Sequence, residues 1–358
     1  MFSSARSRRP SRSLTVVLAL AMAITAGACG QPEEETTDEV TPLEVPEGFV
    51  VGTALSDDPK ALADERYREI LAQNFGSVTP DRAFKWGLVQ GSPGRFDWSG
   101  PDTVMKVAKQ NNQQVRGHAL LWHGSLPDWV KQDADSCDQA STILREHITT
   151  VVGRYRGQIW HWDVANEIFD EKGEPRKENP FVQACGTGIV ADAFRWAHEA
   201  DPKAKLYLND YGTLANGPKA DAQFELVSQL KRDGVPIHGV GFQGHEKARA
   251  GIPDGAADQL ARVAELDLDV MITEADVRIK VPAKGKKPYQ KQAEAYRELL
   301  DVCLDQSRCV AFTVWSFSDR WGWVEEVIEG EGEACLLDEE LRARPAWHAF
   351  RERLAEGR

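Results

Sequence analysis

The sequence predicts an α/β fold, a (β/α)8 barrel of the TIM type built by one domain over residues 47–358. From about Gly48 onward, a short β-rich run that ends in polar residues is followed by an amphipathic helix, and this unit occurs eight times. Strict alternation of strands and helices favours parallel strands with right-handed crossovers, which close as a barrel at this length. A doubly wound open sheet is the alternative, but no Gly-rich phosphate loop follows the first strand.

Each predicted strand is a short run rich in β-branched and other apolar residues, bounded by polar residues or Gly. Each predicted helix carries apolar residues three and four positions apart, which gives it one face that can pack on the sheet. In chain order, the predicted strands are Val50–Ala54, Ser77–Thr79, Gln114–Leu121, Ile159–Val164, Lys205–Asn209, Gly239–Gln243, Asp269–Thr273 and Val310–Trp315, and the helices are Glu65–Asn74, Thr103–Gln110, Ser141–Tyr155, Ile189–Glu199, Ala222–Arg232, Ala256–Leu266, Gln290–Gln306 and Ala346–Leu354.

The first 46 residues are predicted to lie outside the barrel. Residues 1–28 combine four Arg, an apolar run from Leu14 to Ala26 and then small residues, as export signals do. Cys29 follows two small residues and resembles the lipidated Cys of bacterial lipoproteins; an ordinary signal peptide cut just before it is the alternative. Residues 29–46 are rich in Glu, Thr and Pro, which predicts an acidic flexible tether. The protein is thus expected at the cell surface or in the periplasm as a lipoprotein, or otherwise secreted.

The charge of the chain restricts its partners. It has 43 basic and 56 acidic residues, a net charge of −13. Removal of residues 1–28 takes away four Arg and no acidic residue, so the net charge becomes −17. Because such a protein repels polyanions, we expect no nucleic acid partner, whereas a neutral polymer would not be repelled.

Six Cys in an exported chain suggest disulfide bonds. Cys303 and Cys309 are close in sequence, between the end of a helix and the start of a strand, and are the favoured pair. Cys137 and Cys185 each follow a predicted strand and could join neighbouring loops. With a lipid on Cys29, Cys335 is left over, either free or competing for one of these partners. No Cys or His cluster has metal-ligand spacing, so we expect no metal and no cofactor.

Chemically capable side chains are concentrated where the predicted strands end, and these ends share one face of a barrel. The run Trp160–Glu167 reads as a buried strand that stops on Asn166 and Glu167, where a carboxyl group under Trp side chains can act as an acid near neutral pH. Taken alone, a Glu at a strand end such as Glu167 is more often a helix cap or the partner of an Arg. Aromatic, amide and His side chains together suit a neutral ligand covered with hydroxyl groups. The strand-end set is Thr79, Asp81, Arg82, Lys85, His118, Trp122, His123, Asn166, Glu167, Asn209, Asp210, Tyr211, Gln243, His245, Glu274, Asp276, Trp315, Asp319 and Trp323.

Two of these segments, Trp162–Glu167 and Ile272–Asp276, resemble the active-site signatures of glycoside hydrolase family 10, the retaining endo-β-1,4-xylanases. The similarity covers nearly the whole domain, and ordered agreement at seven strand ends makes it specific. The other matching segments are Ser77–Pro80 with Lys85–Trp86, Arg116–His118 with Leu121–His123, Asn209–Tyr211, Gln243–His245, and Thr313–Trp315 with Asp319 and Trp323.

The resemblance implies a double displacement in which Glu167 is the general acid and then the base, and Glu274 is the nucleophile. Retention implies that the two carboxyl groups lie about 5–5.5 Å apart. Asn166 is implied to bond the 2-hydroxyl of the sugar being cleaved, His245 to hydrogen-bond Glu274, and Asp276 to orient His245. The residues implied to bind substrate are Lys85, His118, Trp122, Tyr211, Gln243, Trp315 and Trp323.

Three positions depart from the usual residues of the family. Asp81 and Arg82 stand where Glu-Asn is usual, and Ser125 stands where a Gln is usual. In the family these positions hold the second sugar on the non-reducing side. We therefore expect Asp81, Arg82 and Ser125 to contact that sugar with a different reach and charge.

The sequence as a whole predicts a monomeric retaining endo-β-1,4-xylanase whose partner is β-1,4-xylan or a related plant polysaccharide. The first alternative is a family relative that acts on another β-linked glycan, or on short or aryl glycosides, because of its altered second-sugar subsite. The second is a non-catalytic glycan-binding lipoprotein, which the presence of both Glu167 and Glu274 disfavours. Four lysines between Lys280 and Lys287 crowd the loop after the seventh strand and are predicted to be solvated surface.

Overall fold

The computed structural model of the chain describes residues 39–358. The predicted signal peptide, the lipidation candidate Cys29 and residues 30–38 of the predicted tether lie outside the described residues. None of the helices in the described range is long and apolar enough to cross a membrane. Its strands are β1 (Val50–Leu55), β2 (Ser77–Pro80), β3 (Gln114–Gly117), β4 (His161–Asn166), β5 (Lys205–Asp210), β6 (Gly239–Phe242), β7 (His245–Lys247), β8 (Asp269–Lys280), β9 (Cys309–Val314) and β10 (Glu331–Gly332).

Helices connect successive strands of this sheet. The longer ones are amphipathic, and their apolar faces pack against the strands in a large core cluster. In chain order they are α1 (Pro59–Ala63), α2 (Glu65–Asn74), α3 (Trp86–Val89), α4 (Ser99–Gln110), α5 (Asp128–Asp133), α6 (Cys137–Arg154), α7 (Pro180–Cys185), α8 (Gly188–Ala200), α9 (Pro218–Arg232), α10 (Ala256–Ala264), α11 (Lys287–Asp305), α12 (Val324–Val327) and α13 (Pro345–Glu356), with one 3-10 turn at Asp319–Trp321.

Eight of the strands form a closed parallel barrel. They pair in the order β1, β2, β3, β4, β5, β6, β8 and β9, and β9 returns to β1 with Phe312 opposite Val51. β7 and β10 lie outside the barrel and extend the sheet beside the far end of β8. The predicted (β/α)8 fold is therefore confirmed, and the carboxyl ends of its strands meet at one face.

The interior of the barrel contains both apolar and polar side chains. Tyr207, Met271 and Ala311, on β5, β8 and β9, form a small apolar cluster separate from the main core. Polar residues are also buried within the barrel strands, among them Arg116 on β3 and Asp163 on β4, each about 1% exposed or less. Buried charges are stable only when they are paired, and the partners of these two residues belong to the candidate site described below.

The third and seventh predicted strands differ from the structure. β3 ends at Gly117 rather than Leu121, because His118 turns to contact Asp163 and the chain beyond it joins β4 irregularly, with Leu120 N donating to Asp163 O at 3.0 Å. β8 continues past Thr273 to Lys280, because β7 and β10 pair with its second half. Both strands were predicted in the right place, but their ends depend on neighbours that are distant in sequence.

Short elements were absent from the prediction. The helices α1, α3, α5, α7 and α12 have between four and six residues, too few to show a helical period. α7 nevertheless carries a local signal, because Asn179 caps its N-terminus by accepting from Phe181 N at 3.1 Å and Pro180 stands at its first position.

Two disulfide bonds are present among the described residues. Cys303 pairs with Cys309, between the end of α11 and the start of β9, and Cys137 pairs with Cys185, between α6 and α7. Both pairings agree with the prediction. Cys335 is buried and has a free thiol.

The last residues of the predicted tether contact the barrel. Leu43 N donates to Oδ1 of buried Asn74 at 3.0 Å, and the side chains of Val40 and Leu43 pack against the core. Asn74 in turn donates to Ile70 O at 2.9 Å within α2. These apolar side chains explain why the chain follows the barrel surface before β1 begins.

Candidate active site

Glu167 stands directly after β4, all six of whose residues are buried. Its backbone adopts a positive φ of 55°, a conformation that is sparsely populated for residues other than Gly and that recurs at functional sites. Three neutral side chains donate to its carboxylate: Trp122 Nε1 to Oε2 at 2.9 Å, and Asn166 Nδ2 and Gln243 Nε2 to Oε1 at 3.2 and 3.1 Å. Side chains from the regions of β3, β4 and β6 thus converge on this carboxyl group.

Glu274 lies on β8 and is 4% exposed. Asn209 Nδ2 donates to its Oε1 at 2.8 Å, and His245 Nε2 lies 3.3 Å from its Oε2. Arg116 Nη2 is 3.8 Å from Oε1. Burial by itself raises the pKa of this carboxyl group, but His118 and His245 outweigh burial and lower the pKa to about 2. Glu274 is therefore ionised at neutral pH although it is buried.

His245 is held between two carboxylates. Its Nδ1 lies 2.8 Å from Asp276 Oδ2 and its Nε2 contacts Glu274. Burial tends to lower the pKa of His245, but Asp276 and Glu274 raise it to about 10. The ring is an imidazolium at neutral pH and donates to both carboxylates. Trp323 Nε1 donates to the same oxygen of Asp276 at 2.8 Å, which fixes the orientation of this pair.

Asn209, at the end of β5, connects the surroundings of the two Glu residues. Its Nδ2 donates to Asn166 Oδ1 at 2.7 Å as well as to Glu274, and its Oδ1 accepts from Thr273 Oγ1 at 2.6 Å. The neighbouring strand makes room for this amide with Gly241, where a Cβ atom would overlap Asn209 Oδ1. The sequence placed Asn209 at a strand end without giving it a role, because its hydrogen bonds join three different strands.

Arg116 and Asp163 form a buried ion pair next to the site. Arg116 contacts Asp163 through Nη2 and through Nε at 3.2 Å, and it donates from Nη1 to Thr273 O at 2.9 Å. Asp163 also lies 2.7 Å from His118 Nδ1. Each buried charge therefore has a partner, and Arg116 holds the backbone immediately before Glu274. His118 Nδ1 lies 3.9 Å from Glu274 Oε1, so the structure places this residue beside the candidate nucleophile.

Aromatic residues and Lys85 surround the two carboxyl groups. Lys85 Nζ is 5.5 Å from the Trp122 ring centroid, within range of a cation–π contact. Trp315 meets the edge of the His118 ring with centroids 5.3 Å apart. Trp315, Trp323 and Asp81 line one small niche. All of these residues were predicted to contact substrate, and the structure places each of them beside another member of that predicted set.

Two cations, Arg176 and Lys219, contact the side chain of Tyr211, and the sequence did not predict these contacts. The Tyr211 hydroxyl accepts from Arg176 Nη2 at 3.0 Å, and Lys219 Nζ lies 3.2 Å from the Tyr211 ring centroid. Lys219 also pairs with buried Asp210 at 3.0 Å, and burial raises the pKa of Asp210 to about 7 in spite of this partner. Because Lys219 covers one face of the Tyr211 ring, only the opposite face is available for stacking.

The three unusual positions lie at the edge of the site. Asp81 Oδ1 is 3.8 Å from Lys85 Nζ, and burial raises the pKa of the Asp81 carboxyl group. Arg82 and Ser125 are exposed. The Ser125 carbonyl accepts from Gly87 N at 2.8 Å, so the two loops that carry these residues are joined.

Comparison with known proteins agrees with this architecture. The family model described as glycosyl hydrolase family 10 matches residues 43–353. The chain is 37% identical over 349 residues to endo-1,4-beta-xylanase 5 of Pyricularia oryzae, covering 95% of this chain and 86% of that protein. It is 39% identical over 301 residues to an endo-1,4-beta-xylanase of Agaricus bisporus, covering 84% of this chain and 89% of that protein.

Solved structures show the same likeness. Native xylanase 10B from Thermotoga maritima superposes with a TM-score of 0.83 at 33% identity and covers 86% of this chain and 95% of that one. Xylanase 10B from Thermotoga petrophila RKU-1, solved in complex with xylobiose, gives the same TM-score and identity, covering 86% of this chain and 94% of that one. The family match spans the barrel strands and the strand ends that carry the site. This chain therefore belongs to glycosyl hydrolase family 10.

Proposed function

We propose that this chain is a retaining endo-1,4-β-xylanase in which Glu167 is the acid and base and Glu274 is the nucleophile. One observation carries the assignment of roles: Glu274 lies against His245 with Arg116 nearby, whereas Glu167 accepts hydrogen bonds from neutral donors. A nucleophile must be ionised, and the surroundings of Glu274 achieve this, because its pKa is lowered to about 2. The names of the relatives supply the substrate, xylan.

The reaction then takes two steps. Glu274 attacks the anomeric carbon while Glu167 passes its proton to the glycosidic oxygen, so the bond to the leaving sugar breaks and a glycosyl ester forms. Glu167, now ionised, takes a proton from water, and the water oxygen attacks the same carbon and releases Glu274. Asn166 Nδ2 carries two N–H groups, one of which donates to Glu167. The other is free to bond the 2-hydroxyl, a contact that strengthens in the transition state.

The positions of the Trp side chains and Lys85 near the two carboxyl groups support the proposed substrate contacts. Trp122, Trp315 and Trp323 supply apolar faces and Lys85 supplies a donor, as a sugar ring requires. Asp81, Arg82 and Ser125 are proposed to hold the second sugar on the non-reducing side. Since Asp81 lies beside Lys85, a change at this position affects the neighbouring subsite as well.

Two variants test the roles. Glu274→Ala should lower kcat by about 10⁴-fold or more on xylan and on an aryl xyloside with a good leaving group. Glu167→Ala should lose activity on xylan but keep part of it on the aryl substrate, which needs little help from an acid. Azide should restore Glu167→Ala with a β-glycosyl azide as product and Glu274→Ala with the α-anomer, because only the first passes through the covalent intermediate.

The matched control is Glu69→Ala, an exposed carboxylate on α2, which should leave both activities unchanged. Equal losses for the two site variants on both substrates would overturn the assignment. A time course of product sizes from unsubstituted xylan, made with the full chain, tests endo action. Fragments of intermediate length should precede xylobiose and xylotriose, and the absence of products would redirect the chemistry to a different glycan.

We also propose that the chain is exported through residues 1–28 and anchored by a lipid on Cys29, and that it is a monomer. The support is the pattern of basic, apolar and small residues before Cys29. Labelling of growing cells with a fatty acid should mark the wild type and not Cys29→Ala. An unlabelled wild type found in the medium would point to an ordinary signal peptide.

A further inference from the structure

A basic groove lies on the surface beside the far end of β8. Its volume is about 350 Å³, and it is bordered by β7, the second half of β8, β10 and the first turns of α11. Seven cations line it: Lys247, Arg249, Arg278, Lys280, Lys284, Lys287 and Lys291. Glu331 is the one carboxylate among its described lining residues. This concentration of positive charge stands in a chain whose net charge is −13.

Most of this charge is not neutralised by the protein. Arg278 pairs with Glu331 at 2.7 Å. Within residues 39–358, none of the other six cations of the groove forms an ion pair with a carboxylate. α11, which supplies Lys287 and Lys291, has no acidic residue in its first turn. Elsewhere, partly exposed arginines such as Arg262 and Arg297 have carboxylate partners, whereas these six cations lie together in one groove without one among the described residues.

The groove is connected to the proposed catalytic residues by two strands. His245 opposes Asp276 and Lys247 opposes Arg278 in the β7–β8 register. Arg278 Nη1 donates to His245 O at 3.3 Å. At about 3.3 Å per residue, Arg278 lies roughly 13 Å along β8 from Glu274. A side group of a polysaccharide held across the two carboxyl groups would have to span this distance to meet the groove.

The lining also indicates the kind of anion. Ala248, Ile279 and Pro288 provide apolar surface between the cations, which suits the C–H face of a sugar. The negative charge of the whole protein opposes the approach of a polyanion but not that of a neutral chain with single carboxylates. We propose that this groove binds the carboxylate of uronic acid side groups on xylan, so that the enzyme favours glucuronoxylan. This inference rests on the proposed xylanase activity.

The test compares two polymers that differ only in charge: glucuronoxylan, and the same polymer after reduction of its carboxyl groups to primary alcohols. The groove variant is Lys280→Gln, Lys284→Gln and Lys287→Gln in the full chain. The control, which also removes three exposed positive charges, is Lys106→Gln, Lys109→Gln and Lys131→Gln, away from the groove. All six side chains are exposed, so folding should not be affected.

The groove variant should lose about fivefold in kcat/KM on glucuronoxylan and nothing on the reduced polymer, as expected for the loss of a few solvent-exposed charge contacts. The control should match the wild type on both polymers. Added salt should diminish the preference of the wild type for glucuronoxylan, because exposed charges are screened.

Equal kcat/KM of the wild type on both polymers, or equal losses of the groove variant on both, would overturn the proposal. If the wild type hydrolyses neither, the xylanase assignment fails instead, and affinity electrophoresis on the two polymers then tests the groove alone. Tighter binding of glucuronoxylan by the wild type than by the groove variant would support the site. Equal rates on both xylans combined with groove-dependent binding to phosphatidylglycerol vesicles would overturn it in favour of a membrane surface.

Discussion

Glu167 and Glu274 are the same residue type in one barrel, yet the side chains around them differ in charge. Glu167 accepts hydrogen bonds from neutral Trp and amide groups. Glu274 is buried against His245, and its pKa is lowered to about 2 because His118 and His245 outweigh burial. The comparison teaches that the barrel supplies the positions of the two carboxyl groups, whereas the neighbours of Glu274 keep it ionised although it is buried.

Removal of the cation beside Glu274 should have the largest effect on this contrast. His245→Asn keeps a polar side chain but loses the positive charge, and we expect kcat/KM on xylan to fall by about 10²- to 10³-fold. The pKa of Glu274 should rise, so the acidic limb of the pH–rate profile should move to higher pH by more than about one unit.

The matched variant on the other side is Trp122→Phe, which removes a neutral donor to Glu167. It should cost about tenfold in kcat/KM and leave the acidic limb in place. If the acidic limb moved equally in His245→Asn and Trp122→Phe, the positive charge of His245 would not be what sets its position, and the comparison would fail.

A change that touches neither carboxyl group should weaken the link between them. Gly241→Ala places a methyl group where Asn209 Oδ1 now lies, so the amide must move away from Asn166 and Glu274. We expect kcat/KM to fall by about 10- to 100-fold with a smaller change in KM. Steady-state kinetics on xylan with both parameters resolved measures this.

The control is Gly153→Ala in α6, where an added methyl group meets no atom within 4 Å. This variant should keep full activity and gain about 0.5–1 kcal/mol of stability, because Ala is the better helix former. Full activity of Gly241→Ala would show that Asn209 is not needed to position Glu274.

The pH dependence of folding should show the same asymmetry, with a smaller effect. Because the pKa of Glu274 falls from 4.5 to about 2 when His118 and His245 outweigh burial, its stabilising contribution is full above pH 4.5 and is lost toward pH 2. We compare the free energy of unfolding of the wild type with that of Glu274→Gln. The difference, wild type minus variant, should be smaller at pH 2 than at pH 7 by on the order of 3 kcal/mol. Urea unfolding at both pH values measures the difference.

The stabilising contribution of His245 should have the opposite pH dependence. Burial lowers its pKa, but Asp276 and Glu274 raise it from 6.5 to about 10, so its stabilising contribution is full below pH 6.5 and is lost as the pH rises through 10. His245→Asn should therefore lack the alkaline decline and keep a decline in acid. A wild type whose stability does not change between pH 7 and pH 10 would contradict this.

The sequence was sufficient to predict the barrel and most of the strand ends that carry the site. Strands such as β4 and β5 are continuous apolar runs that stop at polar residues, so local pattern and burial agree. The two disulfide pairings were also predictable from the loops that hold the Cys residues. The predicted distance between the two carboxyl groups and the roles of the site residues remain predictions.

What the sequence did not reveal depends on contacts between distant segments. Asn209 on β5 links residues of β4 and β8, and Lys219 reaches Tyr211 from the first turn of α9. The groove lysines looked like a solvated loop because the sequence does not show that β7 and α11 place further cations beside them. A run of charged residues in a sequence predicts that their side chains are exposed. Only the structure shows which of these charges lack an ion-pair partner.

The length of β8 has a consequence for engineering. From Ala275 onward its side chains alternate, with Val277 and Ile279 buried while Asp276, Arg278 and Lys280 point to the other face. One continuous strand therefore carries Glu274, the His245 partner Asp276 and two residues of the basic groove, and it fixes the spacing between them. Inserting one residue after Asp276 would exchange the two faces beyond it, whereas inserting two would preserve them. Loop grafts intended to change the preference for xylan side groups should therefore begin after Lys280, where β8 ends.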